Sequence, residues 1–113
     1  MANILAIDFD GVIADTEPGE GWGGHGPLLA PPVHGAEDGL TALADDWAIV
    51  IFSARATTIE GRRQIKNWLT RNGLGDLIVE VTAMKPLATA YIDDKGHRFA
   101  GWRDLRRVYE VRD

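Results

Sequence analysis

A short apolar run, Ala2-Asn3-Ile4-Leu5-Ala6-Ile7, stops at Asp8-Phe9-Asp10-Gly11. A run this short with no alternating polar face reads as a strand buried on both sides, the kind found in parallel sheets. Three more segments read as strands. They are 47–52, built on Ile49-Val50-Ile51-Phe52, then 77–81, and a weaker 88–92 that stops at Asp93-Asp94. Helical spacing fills the gaps between them. Ala36, Leu40, Leu43 and Ala44 share one face of 36–44, with Trp47 continuing the row and Glu37 and Asp38 in the first turn, where the helix dipole favours acids. Thr57 and Glu60 match a capping box for a second helix that Asn72-Gly73 would stop, with Ile59, Ile65, Trp68 and Leu69 on its apolar side. Leu105, Val108 and Tyr109 give 102–111 the same spacing. The order is strand, loop, helix, strand, helix, strand, strand, helix. It predicts an α/β fold with a mainly parallel sheet covered by helices on both faces.

At 113 residues, 45% hydrophobic and 26% charged, the chain suits one globular domain, and it contains no repeat or linker. It has no cysteine, which excludes disulfides, thiolate zinc sites and cysteine nucleophiles. The net charge of −5 weighs against general binding to nucleic acid or anionic membranes. No segment reads as a membrane span or targeting peptide, and the first basic residue is Arg55, so a cytoplasmic location is expected.

Residues 17–35 hold Gly19, Gly21, Gly23, Gly24, Gly26 and Gly35 with Pro18, Pro27, Pro31 and Pro32. No period survives there, so an irregular functional or mobile loop is expected. Gly19-Glu20-Gly21-Trp22-Gly23-Gly24 matches a dinucleotide fingerprint formally, but it lacks the strand before and the helix after that the fingerprint needs. His25, His34 and His97 fit no zinc spacing and read as loop or surface residues. Arg62, Arg63 and Lys66 read as a solvated helix face, as do Arg103, Arg106, Arg107 and Arg112 among their acidic neighbours. Trp47 and Trp68 read as core.

In open parallel sheets, ligands bind beyond the carboxyl ends of the strands. Here those ends carry Asp8 and Asp10, Ser53, and Asp93 and Asp94, with Lys85 in the loop before the last strand. Clustered carboxylates repel one another, and a divalent cation relieves that repulsion. All-oxygen ligands favour magnesium, which commonly takes one or two carboxylates and a phosphate oxygen. A lysine and a serine hydroxyl beside it suit a phosphoryl group. One aspartate can attack phosphorus, and a second carboxylate two residues on can move protons.

These residues, in this order, resemble the motifs of the haloacid dehalogenase (HAD) superfamily of phosphohydrolases. Asp8-Phe9-Asp10-Gly11-Val12 looks like its first motif, Ser53 its second, Lys85 its third and Asp93-Asp94 its acidic fourth, so the likeness spans residues 4–94. The resemblance implies a three-layer α/β/α Rossmann-like fold over 1–113, with Asp8's strand central. It also implies no cap domain, leaving 19–35 as the one possible flap. Gly21-Trp22, Pro31-Pro32-Val33-His34-Gly35 and Phe99-Ala100-Gly101-Trp102 are similar to small capless members.

The resemblance also implies a Mg²⁺-dependent phosphomonoester hydrolase. Asp8 would be the nucleophile and Asp10 the acid/base. Ser53, Ala54, Arg55 and Lys85 would hold the phosphoryl group, and Asp8, Asp10, Asp93 and Asp94 would hold Mg²⁺. The Asp10 carbonyl is its expected metal donor, and either Asp93 or Asp94 the direct ligand. A phosphorylated small molecule is the expected substrate, with a nucleic-acid phosphate end as an alternative. A HAD-fold phosphate- and metal-binding regulatory module with little turnover is a further alternative. The sequence does not indicate an oligomeric state.

Overall fold

The computed structural model describes residues 3–17, 27–92 and 99–109. Four strands, β1 (Asn3–Asp8), β2 (Trp47–Phe52), β3 (Ile78–Thr82) and β4 (Ala90–Ile92), form one parallel sheet in the order β3-β2-β1-β4. The helices are α1 (Ala36–Leu43), α2 (Ile59–Arg71) and α3 (Trp102–Tyr109). The expected α/β fold and parallel sheet are both present, but the described helices pack into one core cluster on one face instead of covering both. None of the described helices is long and apolar enough to cross a membrane.

β1 lies inside the sheet because it pairs with both β2 and β4. Strand order reverses between β1 and β4, and such a switch point opens a crevice at the carboxyl edge. Alternation along the strands divides their side chains. Leu5, Ile7, Ile49, Ile51, Val81 and Ile92 join one core cluster with Leu40 and Leu43 of α1, Ile65, Trp68 and Leu69 of α2, and Leu105 of α3. Ala6 and Val50 are also buried but lie outside that cluster, on the opposite face. Phe9 meets Trp68 edge-on at 5.3 Å, which carries the core past the end of β1.

α3 docks on α1 at a glycine. A Cβ on Gly39 would lie 2.3 Å from Cε3 of Trp102, so only glycine lets the indole lie flat on the helix. The same indole donates from Nε1 to the Val12 carbonyl at 2.8 Å.

The connection from β3 to β4 governs the other face. It runs from Thr82 at the carboxyl edge to Ala90, which pairs with Leu5 near the start of β1. It must step across three strand spacings, about 14 Å, while returning about 10 Å along the sheet. Its seven residues would span only about 10 Å as a helix, but up to about 25 Å extended. It therefore crosses as irregular chain. Right-handed crossover puts it on the face opposite α1 and α2, since the chain moves the other way across the sheet.

Several boundaries differ from expectation. The last strand begins at Ala90 rather than residue 88, because the extended crossing consumes the preceding residues. Helix α2 is capped by Thr58, whose Oγ1 accepts from the Gly61 N–H at 3.0 Å, not by Thr57. A 3-10 helix at Ala54–Thr57 intervenes, and Thr57 donates instead to the Ala54 carbonyl at 2.7 Å. Of the irregular loop, residues 27–35 are described and their end is pinned. Asp15 N–H donates to the Pro31 carbonyl, and Val33 N–H to the Ile13 carbonyl.

Candidate functional site

Asp8 ends β1 and pairs in register with Phe52, the last residue of β2. Ser53 follows at once, and its N–H extends the ladder to the Thr82 carbonyl at 2.9 Å. Asp8 and Ser53 thus stand side by side at the carboxyl edge. Asp8 is half-buried, and its Oδ1 accepts from the Phe9 N–H at 2.8 Å. Ser53 is buried, and its Oγ accepts from the Arg55 N–H at 3.2 Å.

A tight turn follows β1. The Phe9 carbonyl accepts from the N–H groups of Ile13 and Ala14 at 3.0 and 3.1 Å, and Gly11 N–H donates to the Ala14 carbonyl. This turn aims Asp10 back at the 3-10 helix after β2. There Arg55 meets it, only 3% exposed. Arg55 Nε and Nη2 donate to Asp10 Oδ1 at 2.9 and 2.7 Å, and Nε also reaches Oδ2 at 3.1 Å. Thr16 Oγ1 donates to the same Oδ1 at 2.6 Å. Gly61 makes this seat possible. A Cβ there would fall 1.7 Å from the Arg55 carbonyl, so α2 approaches the Arg55 backbone only because residue 61 has no side chain.

Lys85 is the third residue of the β3–β4 connection. Its Nζ lies 4.4 Å from the ring centroid of Tyr91 and 5.8 Å from that of Phe52. These rings stand on β4 and β2, the two neighbours of β1, and their register partners are Ala6 and Asp8. Paired residues of parallel strands share a face, and β2 and β4 are about 9.6 Å apart across β1. An ammonium within reach of both rings therefore sits above β1, on the face to which Asp8 belongs.

The structure thus brings Asp8, Asp10, Ser53 and Arg55 to one edge of the sheet, with Lys85 over the face of β1 to which Asp8 belongs. Ala54 is exposed there, in the first turn of the 3-10 helix. Asp93 and Asp94 lie outside the described residues, as do Trp22, His25 and His97. Among the described residues no three acids or histidines gather around a point that would hold a metal. Those that reach the edge still offer oxygen donors of the kind Mg²⁺ takes. They are the Asp8 carboxylate and the Asp10 carbonyl, since the Asp10 carboxylate is taken up by Arg55 and Thr16.

Arg62, Arg63 and Lys66 go elsewhere. Arg63 pairs with Glu60 at 3.1 Å. Arg62 and Lys66 line a groove of about 560 Å³ between α2 and β3, facing Asp76 and Glu80. None of Asp8, Asp10, Ser53, Arg55 and Lys85 lines that groove.

Two residues of the site escaped sequence reasoning. Thr16 is one, and its only signal is its place shortly after the acidic motif. Tyr91 is the other, an aromatic in the short strand just after Lys85-Pro86. No family model, curated protein or solved structure matches this chain.

Proposed function

We propose that this protein is a Mg²⁺-dependent phosphomonoester hydrolase of the HAD kind, with a capless fold, working through an aspartyl-phosphate on Asp8. One observation carries this reading. A carboxylate at the end of an interior parallel strand has a serine on the neighbouring strand end and a lysine ammonium above its own strand.

In the first step an Asp8 carboxylate oxygen attacks phosphorus. The P–O bond to Asp8 forms as the P–O bond to the leaving alcohol breaks. Ser53 and the backbone at Ala54 hold phosphoryl oxygens, and Lys85 offsets their charge. Asp10 gives the leaving oxygen its proton. To do so it turns away from Arg55, which is then placed to meet the phosphoryl group. In the second step Asp10 takes a proton from water, and the water oxygen attacks phosphorus. Inorganic phosphate leaves and the Asp8 carboxylate is restored. Asp8, the Asp10 carbonyl and Asp93 or Asp94 would hold Mg²⁺, which would supply charge neutralisation at the phosphate. The expected substrate is a phosphorylated small molecule.

The grip of Arg55 and Thr16 on Asp10 favours a second reading. A chain that keeps its acid/base carboxylate engaged would bind phosphate and turn over little, as a regulatory module does. Phosphate release from a panel of phosphomonoesters, with and without Mg²⁺ and with Asp8→Asn as the blank, separates the two. Metal-dependent release absent from Asp8→Asn supports the hydrolase. No release, together with a phospho-aspartate that persists after acyl-phosphate treatment, supports the module.

A further inference from the structure

Lys85 has no helix or strand to fix it. Its segment crosses the sheet as irregular chain, and its side chain is exposed. Such a lysine normally samples many rotamers. Here one residue constrains both the backbone and the ammonium. Tyr91 Oη donates to the Pro86 carbonyl at 2.5 Å and accepts from the Ala88 N–H at 3.1 Å. Its ring lies 4.4 Å from Lys85 Nζ. The hydroxyl thus ties down the chain just after Lys85, and the ring face attracts the charge. Tyr91 does this from β4, the strand that pairs with β1 beneath.

The geometry points to Tyr91 as the positioning residue for Lys85, setting where its ammonium stands above β1 for work on a phosphoryl group. This rests on the phosphatase reading for its catalytic half only. The ring face holds the cation by its quadrupole and brings no opposite charge of its own.

The test uses the full chain with p-nitrophenyl phosphate and Mg²⁺. Tyr91→Leu removes ring and hydroxyl, and Tyr91→Phe keeps the ring. Tyr91→Leu is expected to lower kcat/KM about tenfold, and Tyr91→Phe less. In a Lys85→Ala background, Tyr91→Leu is expected to add nothing, because its effect acts through the lysine. An equal loss in both backgrounds would mean a merely structural tyrosine and would overturn the proposal.

The second readout needs no turnover. The Lys85 ε-methylene signals in an NMR spectrum should be shifted upfield by the ring, keep that shift in Tyr91→Phe and lose most of it in Tyr91→Leu. Signals unchanged by Tyr91→Leu would also overturn the proposal. The expected shifts in a protein that hydrolyses no phosphomonoester would overturn the phosphatase reading and the catalytic role with it, while upholding the placement of Lys85 by Tyr91.

Discussion

Arg55 holds Asp10 from 45 residues away along the chain, with Nη2 2.7 Å and Nε 2.9 Å from one carboxylate oxygen. Both side chains are nearly sealed from water, at 1% and 7% exposure. A buried pair of this kind adds little over an apolar pair of the same shape, yet breaking it from one side is costly. Arg55→Ala leaves a buried carboxylate with Thr16 as its remaining side-chain donor among these contacts. We expect a loss of about 3–5 kcal/mol, read as a fall in the urea midpoint at unchanged slope. The double variant Asp10→Leu/Arg55→Met should recover much of that loss. If Arg55→Ala proves as stable as the parent, the pair is not structural.

Asp8→Asn tests the chemistry and leaves the fold alone. The amide oxygen can still accept from the Phe9 N–H, so the thermal midpoint should move little. Turnover of any phosphomonoester should fall to the blank. Residual metal-dependent activity in this variant would rule out the covalent route through Asp8.

The two adjacent threonines before α2 should behave differently. Thr58→Ala removes the bond to the Gly61 N–H and should cost about 1 kcal/mol in chemical denaturation. Thr57→Ala loses only an exposed contact to the Ala54 carbonyl and should cost less. Equal losses would contradict the assigned cap.

Gly39→Ala is expected to destabilise, although alanine favours helices by about 1 kcal/mol over glycine. The new methyl would collide with the Trp102 ring, and overpacking of this kind costs about 1–3 kcal/mol. Pairing it with Trp102→Leu should reverse the sign of the substitution, as measured by thermal unfolding.

Much of this was legible because short-range pattern sufficed. The segment 47–52 emerges as a strand with the expected bounds, since its apolar run is flanked by Asp46 and Ser53. Asp8 and Ser53 could be placed at strand ends for the same reason. The cap on α2 was misread because two threonines stand in a row and only Thr57 has a glutamate three residues on. The 3-10 helix after Ser53 decided between them, and nothing in the local spacing announces it. The grip of Arg55 on Asp10 and the contact of Trp102 with Gly39 join distant parts of the chain, so no periodicity reveals them. Tyr91 combines a ring contact to Lys85 with hydroxyl bonds to Pro86 and Ala88, and nothing in the spacing of its short strand announces either.

The irregular crossing between β3 and β4 also has a consequence for how the molecule is assembled. β1, β2 and β3 can pair in chain order through α1 and α2, whereas β4 closes contacts such as Ile4 to Thr89, 85 residues apart. Non-local pairings of this kind tend to form late. Until β4 arrives, β1 is an open edge with Leu5, Ala6 and Ile7 along it, the sort of edge that invites association between chains. Once β3 has docked, however, only the seven residues of the crossing separate it from β4. Closing so short a loop costs little entropy. The brevity that denies this segment a helix thus also shortens the time for which β1 stands unprotected.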